Sequence, residues 1–222
     1  MSSFLQTIKT KTKEVFEWLT YQAKSILEQF ETWVRRIRYI DQVVNSSPSY
    51  HPEAVDIKLC ADMKDSLAQL APMDIVSYLE SQTPEERGQF IEQKLLPKIA
   101  QLMGISYDEL DWFHAEKAYC GFYQHEERKI AINMTYLYSD NRKLLTILVN
   151  TIVHECKHAR QLAAIDGVDY GYSKGLIEEW RKNYNDYISS DENDEAYAKQ
   201  PIEFDASMFA NSIIDENIIF EN

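Results

Sequence analysis

The 222-residue chain carries 45% hydrophobic and 12% aromatic residues, enough to build a core, and its formal charge of −13 excludes the concentrated basic surface that nucleic acid requires. No apolar run approaches the about 18 residues of a membrane span, and no charged-then-apolar signal opens the chain. Six Gly and six Pro point to a helix-rich protein, and Cys60, Cys120 and Cys156 form no CxxC pair from which a disulfide framework would be read.

A reducing cytoplasm is the default compartment, with signal-less secretion or virion association as the alternatives. The charge is unevenly spread. Residues 1–44 hold seven Lys/Arg and five Asp/Glu, a net +2, while residues 45–222 hold sixteen and thirty-one, a net −15.

Within residues 3–44, apolar positions from Phe4 and Ile8 through Trp18, Ile26, Trp33, Ile40 and Val44 recur at spacings of three, four and seven with no Gly or Pro. One long amphipathic helix is expected there. It either packs on the chain's own core or serves self- or partner association. The polar run Ser46–Pro52 with its two prolines ends it, dividing residues 1–46 from a domain over 53–222.

Two short helical patterns, broken near Pro72, span Asp62 to Ser81. Thr83-Pro84-Glu85-Glu86 then marks a helix start, with a capping Thr, Pro at the first helical position and Glu three residues on. This helix is expected to run toward Gly104, bent at Pro97. Ala118–Tyr123 and Lys129–Met134 read as two strands joined by the polar turn Gln124–Arg128, a hairpin. His114 and His125 lie nearby without a partner at metal-binding spacing.

A helix free of Gly and Pro follows from Asn141 to Ala164, with Ser139 and Asp140 as candidate caps and Gly167 just past its end. Its apolar body includes Leu144, Leu145, Ile147, Leu148, Ile152 and Val153, so burial on nearly every side is expected. Within it stands His154-Glu155-Cys156-Lys157-His158, the HExxH pattern. One helical turn places His154 and His158 on one face, where two imidazoles bind one Zn²⁺ at about 2.0–2.1 Å. Glu155, on the flank of that face, reaches a water activated by the metal without being a ligand, the place for a general base.

A helix over Gly175–Ile188 is expected to turn Leu176, Trp180, Tyr184 and Tyr187 inward, and Ser189–Glu195 reads as a solvated acidic linker. The last helix, Gln200–Ile214, has Pro201 at its start. Catalytic zinc takes three protein ligands and leaves a fourth position open, so two histidines require one more donor. Glu203 and Asp205 both offer a carboxylate in a helix otherwise suited to burial. They lie about 200° apart around that helix, so one ion faces only one of them.

Ala131-Ile132-Asn133, the HExxH helix and Glu203-x-Asp205-Ala206-x-x-Phe209-Ala210 together resemble the compact gluzincin metallopeptidases of the ImmA/IrrE type. The fuller forms HExxHAxQ and QPxExDAxxFA look like those of zincin-like domains in phage genomes and bacterial polymorphic toxins. The resemblance covers about residues 115–215.

It implies an α+β, predominantly helical, zincin-like domain with a small β-hairpin or sheet packed on the HExxH helix. The implied ligands are His154, His158 and Glu203, with Glu155 as catalytic base. Ser207 stands where that family places a residue that holds a ligating histidine. Lys157 and Arg160 stand where its peptidases carry uncharged side chains. The implied activity is zinc-dependent hydrolysis of a peptide bond in a protein or peptide substrate. An oxyanion donor is also needed, and Tyr172 and Tyr197 of the 170–197 segment are the candidates. A zinc-binding structural module, or a toxin or effector zincin delivered through its N-terminal helix, are the alternative readings.

Overall fold

A computed structural model of the chain describes residues 52–115, 120–190 and 192–214. The helix expected over residues 3–44 lies outside them, as does the expected linker except for Pro52. The described residues are α+β and predominantly helical, with one small sheet. None of their helices is long and apolar enough to cross a membrane.

Helix α1 (Ala54–Ala68) and the short α2 (Ile75–Glu80) are separated around Pro72, and Asp74 caps α2 by accepting from the Ser77 N–H. Helix α3 (Pro84–Phe90) opens on a reciprocal capping box. Thr83 Oγ1 accepts from the Glu86 N–H, and the Glu86 carboxylate accepts from the Thr83 N–H. A widened π turn, Ile91–Leu95, then leads into α4 (Leu96–Met103). Pro97 has no N–H to donate to the preceding turn, and it stands in the first turn of α4, directly after the widened one. Gly104 closes α4 in the left-handed region at φ 63°.

Three strands follow: β1 (Glu109–Phe113), β2 (Gly121–Gln124) and β3 (Lys129–Asn133). β3 lies in the middle, antiparallel to β2 in the expected hairpin and parallel to β1, a strand the sequence pattern does not announce. Helix α5 (Arg142–Ile165) packs on β2, β3, α2 and α4 and carries the HExxH motif. Its cap is Asn141, whose side chain accepts from the Lys143 N–H. Ser139, one of the two expected caps, instead accepts from the Asn141 N–H.

Helix α6 (Lys174–Asn185) buries Trp180 completely but leaves Tyr184 exposed, and Tyr187 lies beyond its end. The expected inward stripe is therefore narrower and the helix shorter. The expected linker ends in a further short helix, α7 (Asp194–Lys199), capped by Asn193. Helix α8 (Pro201–Ile213) completes the described chain and packs along α5.

Gly121 marks the closest approach of β2 to its neighbours. A Cβ there would lie 2.7 Å from the Ala131 carbonyl oxygen and 2.7 Å from Thr151 Cγ2 on α5, so backbone or helix must move. Gly121→Ala is therefore expected to destabilise the fold by about 1–3 kcal/mol. Gly175→Ala, with nothing within 4 Å of the added carbon, is expected to be neutral or slightly stabilising. Thermal unfolding of the two variants side by side checks both.

Candidate metal centre

His154 and His158 stand one turn apart on α5 and turn their Nε2 atoms toward each other, 2.9 Å apart. Pro201 starts α8 so that Glu203 falls in its first turn, facing them. Glu203 Oε2 lies 3.3 Å from His154 Nε2, and Oε1 lies 3.3 Å from His158 Nε2. Among the described residues, this is the group of three or more His, Cys, Asp or Glu side chains whose donor atoms converge on one point.

Donors on a tetrahedral zinc at about 2.0–2.1 Å are separated by about 3.3 Å; the two His–Glu spacings, one to each oxygen of Glu203, match this, and the His–His spacing of 2.9 Å is shorter. The Glu203 carboxylate is 4% exposed, with an imidazole nitrogen 3.3 Å from each of its oxygens. Burying a carboxylate is costly, and a cation between the three donors offsets that cost. The residues present fit a metal ion.

The charges around the point are strongly coupled. Burial opposes the charge on His158, but the Glu203 carboxylate beside it prevails and raises its pKa to about 9. Burial likewise works against the Glu203 anion, and His158 and His154 outweigh it, holding that carboxyl well below the usual range. Glu155 behaves oppositely. Its burial prevails over the pull of the two imidazoles and pushes its carboxyl up.

Glu155 also accepts a hydrogen bond from the Tyr123 N–H of β2. The Asn133 N–H donates to the Cys120 carbonyl, and bonded pairs alternate along an antiparallel ladder, so the main-chain groups of Gly121 and Tyr123 point away from β3. Glu155 thus meets the outer edge of the sheet.

The tyrosines divide. Tyr172 is buried in a separate cluster, where its hydroxyl accepts from Lys157 and Arg160 and donates to Asp56. With these partners it is committed away from the three donors. Tyr197 stands beside Glu203, and burial followed by the Glu203 charge raises its phenol well above the ordinary value. Tyr187, which the sequence pattern assigned only to packing, donates its hydroxyl to Glu203 Oε1 at 2.5 Å.

Gln200 positions that tyrosine's loop by accepting from the Ile188 N–H and donating to the Ile188 carbonyl, each at 2.8 Å. Helical spacing marked Tyr187 as an inward packing residue, but it lies past the end of α6 and nothing in that spacing points to Glu203. Ser207 Oγ is 3.5 Å from His154 Nδ1, at the limit of a hydrogen bond. Asp205 faces the other side of α8, 3.2 Å from Lys157 Nζ.

Metal loading is expected to depend on pH in a specific direction. In the metal-free chain His158 keeps its proton up to about 9, and an ion must displace it. Apparent affinity should therefore rise about tenfold per pH unit from neutrality toward that value and then level off, with about one proton released per ion. Calorimetry in buffers of different ionisation enthalpy counts that proton. By the same linkage, the metal-free fold has the full benefit of the His158 charge below pH 6.5 and loses it as pH rises through about 9.

No family model, curated protein or solved structure matches the chain.

Proposed function

We propose that the chain is a zinc-dependent peptide-bond hydrolase with a zincin-like core. The observation that carries this reading is the convergence of His154, His158 and Glu203 beside a fourth buried group, Glu155, that is not one of the three donors. Two histidines and a glutamate are a donor set of catalytic zinc, and three protein ligands leave a position open. A purely structural site has no use for a carboxylic acid buried next to it.

When bound, zinc polarises a carbonyl and makes water a nucleophile at neutral pH. Glu155 takes the proton of the attacking water at its carboxylate and passes it to the leaving amine, for which its upward-shifted pKa suits it. The Tyr123 N–H holds that carboxylate from one side. Tyr187 and Tyr197 hold Glu203 beside the three donors, so theirs are the hydroxyls we assign to steadying developing negative charge; Tyr172 lies in a separate buried cluster.

The outward main-chain groups of Gly121, on an edge strand, suit pairing with an extended peptide. Lys157 and Arg160, the charges unusual for a peptidase motif, have buried partners of their own. Residues 3–44 are the segment for self- or partner association under the same reading.

Glu155→Gln is expected to retain one zinc per chain and to lower hydrolysis about 10²–10⁴-fold, whereas His154→Ala loses the metal. Metal content by elemental analysis and cleavage of an unfolded protein mixture read by mass spectrometry are the two measurements. A glutamine variant that loses zinc as fully as His154→Ala would make Glu155 a ligand and reject this mechanism.

A further inference from the structure

Gln161 is fully buried on α5, three residues after His158 and on the same side of the helix. Its amide nitrogen spends one hydrogen on Asp205 Oδ2 at 2.7 Å and the other on the Ile202 carbonyl at 3.0 Å. A carboxylate and a carbonyl only accept, so a reversed amide would aim its oxygen at two other oxygens. Gln161 Oε1 is thereby directed to His158 Nδ1, 2.9 Å away. An amide oxygen cannot donate. The proton of that bond must sit on Nδ1, so in the neutral imidazole that binds a metal the lone pair is on Nε2, facing His154 and Glu203.

Asp205 is fixed in turn. Lys157 Nζ, completely buried, lies 3.2 Å from Asp205 Oδ2 and 2.7 Å from Asp56 Oδ1 of α1, and donates to Tyr172 at 3.0 Å. From these contacts we infer that Lys157 and Asp205 are positioning residues for the metal centre, setting the metal-binding tautomer and ring orientation of His158 through Gln161. The inference rests on the metal reading above and adds to it a buried relay from the first described helix to one ligand. His154 has no comparable anchor on Ser207, whose contact is 3.5 Å.

The relay gives Asp205 an effect on metal binding even though its carboxylate never faces the ion. Gln161→Met keeps the volume and removes the bond to His158. Asp205→Leu removes the oxygen that accepts from both Gln161 and Lys157, so neither is held by α8 through that position.

The test titrates the full chain with Zn²⁺ and with Co²⁺ against a chelator, recording the cobalt absorption spectrum and the thermal unfolding of the metal-free protein. Both variants are expected to lose about 10–100-fold in metal affinity and to show a changed cobalt spectrum. The metal-free Gln161→Met protein should still unfold cooperatively, below the wild-type temperature because three buried hydrogen bonds are lost. Nitrogen-15 NMR of the unsubstituted zinc-loaded chain should find the metal on His158 Nε2 and a proton on Nδ1, a result that needs no variant to fold.

Wild-type affinity and spectrum in a folded variant, or zinc on His158 Nδ1, overturns the relay while leaving the metal site standing. A wild-type chain that binds neither ion overturns the metal reading and the relay together.

Discussion

One constraint governs the described structure: α5 lies inside it, with 18 of its 24 residues buried, yet its second half is rich in polar side chains. An unpaired polar group in such a place costs about 1–3 kcal/mol, more if charged. Each polar residue of the motif region therefore dictates what another element must supply. His154 and His158 require Glu203 of α8, and Glu155 requires a main-chain N–H of β2. Lys157 requires Asp56 and Asp205, and Arg160 finds Tyr172 and the Met103 carbonyl. The helices and the edge strand are arranged by these demands as much as by the apolar core.

The two carboxylates of α8 show how the demands are separated. Two positions apart on a helix, they face different sides, Glu203 toward the imidazoles and Asp205 toward the Lys157 ammonium. Such a buried pair is a weak source of net stability, because the cost of desolvation offsets most of the attraction. Its value lies in geometry. Lys157 packs among the rings of Tyr172, Trp180 and Phe209, with centroids at 4.9, 5.5 and 4.9 Å. A charge so enclosed has few alternative positions, so the groups bonded to it are held as well.

Much of this was legible in the sequence, and the reason differs by element. The HExxH helix announced itself because a stretch free of Gly and Pro with apolar residues on every side has one economical conformation. Thr83-Pro84-x-Glu86 announced its helix start through capping chemistry that depends only on neighbours. The parallel strand β1 was not legible: Glu109-Leu-Asp-Trp-Phe113 becomes a strand through a partner some twenty residues later in the chain, and propensity alone does not foresee it.

The cap of α5 fell one residue later than the candidates, since Asn141 reaches Lys143 while Ser139 serves Asn141. Within the site, Gln161 stood at helical spacing from His158 and was readable in principle. Tyr187 was not, since nothing local ties a residue beyond the end of α6 to a carboxylate in another helix.

These contacts also give the candidate centre an inner and an outer side. On the inner side Gln161, Asp205 and Lys157 are all buried and linked by bonds of 2.7–3.2 Å, so His158 is backed by groups that cannot move independently. On the outer side stands Tyr187, a residue 44% exposed whose hydroxyl meets Glu203. The loop that carries it is fastened at Ile188 by the single side chain of Gln200. The Tyr187 side of the centre is thus the more exposed and the Lys157 side the more enclosed. Under the proposed metal reading, the orientation of His158 would be kept by the buried charges behind it.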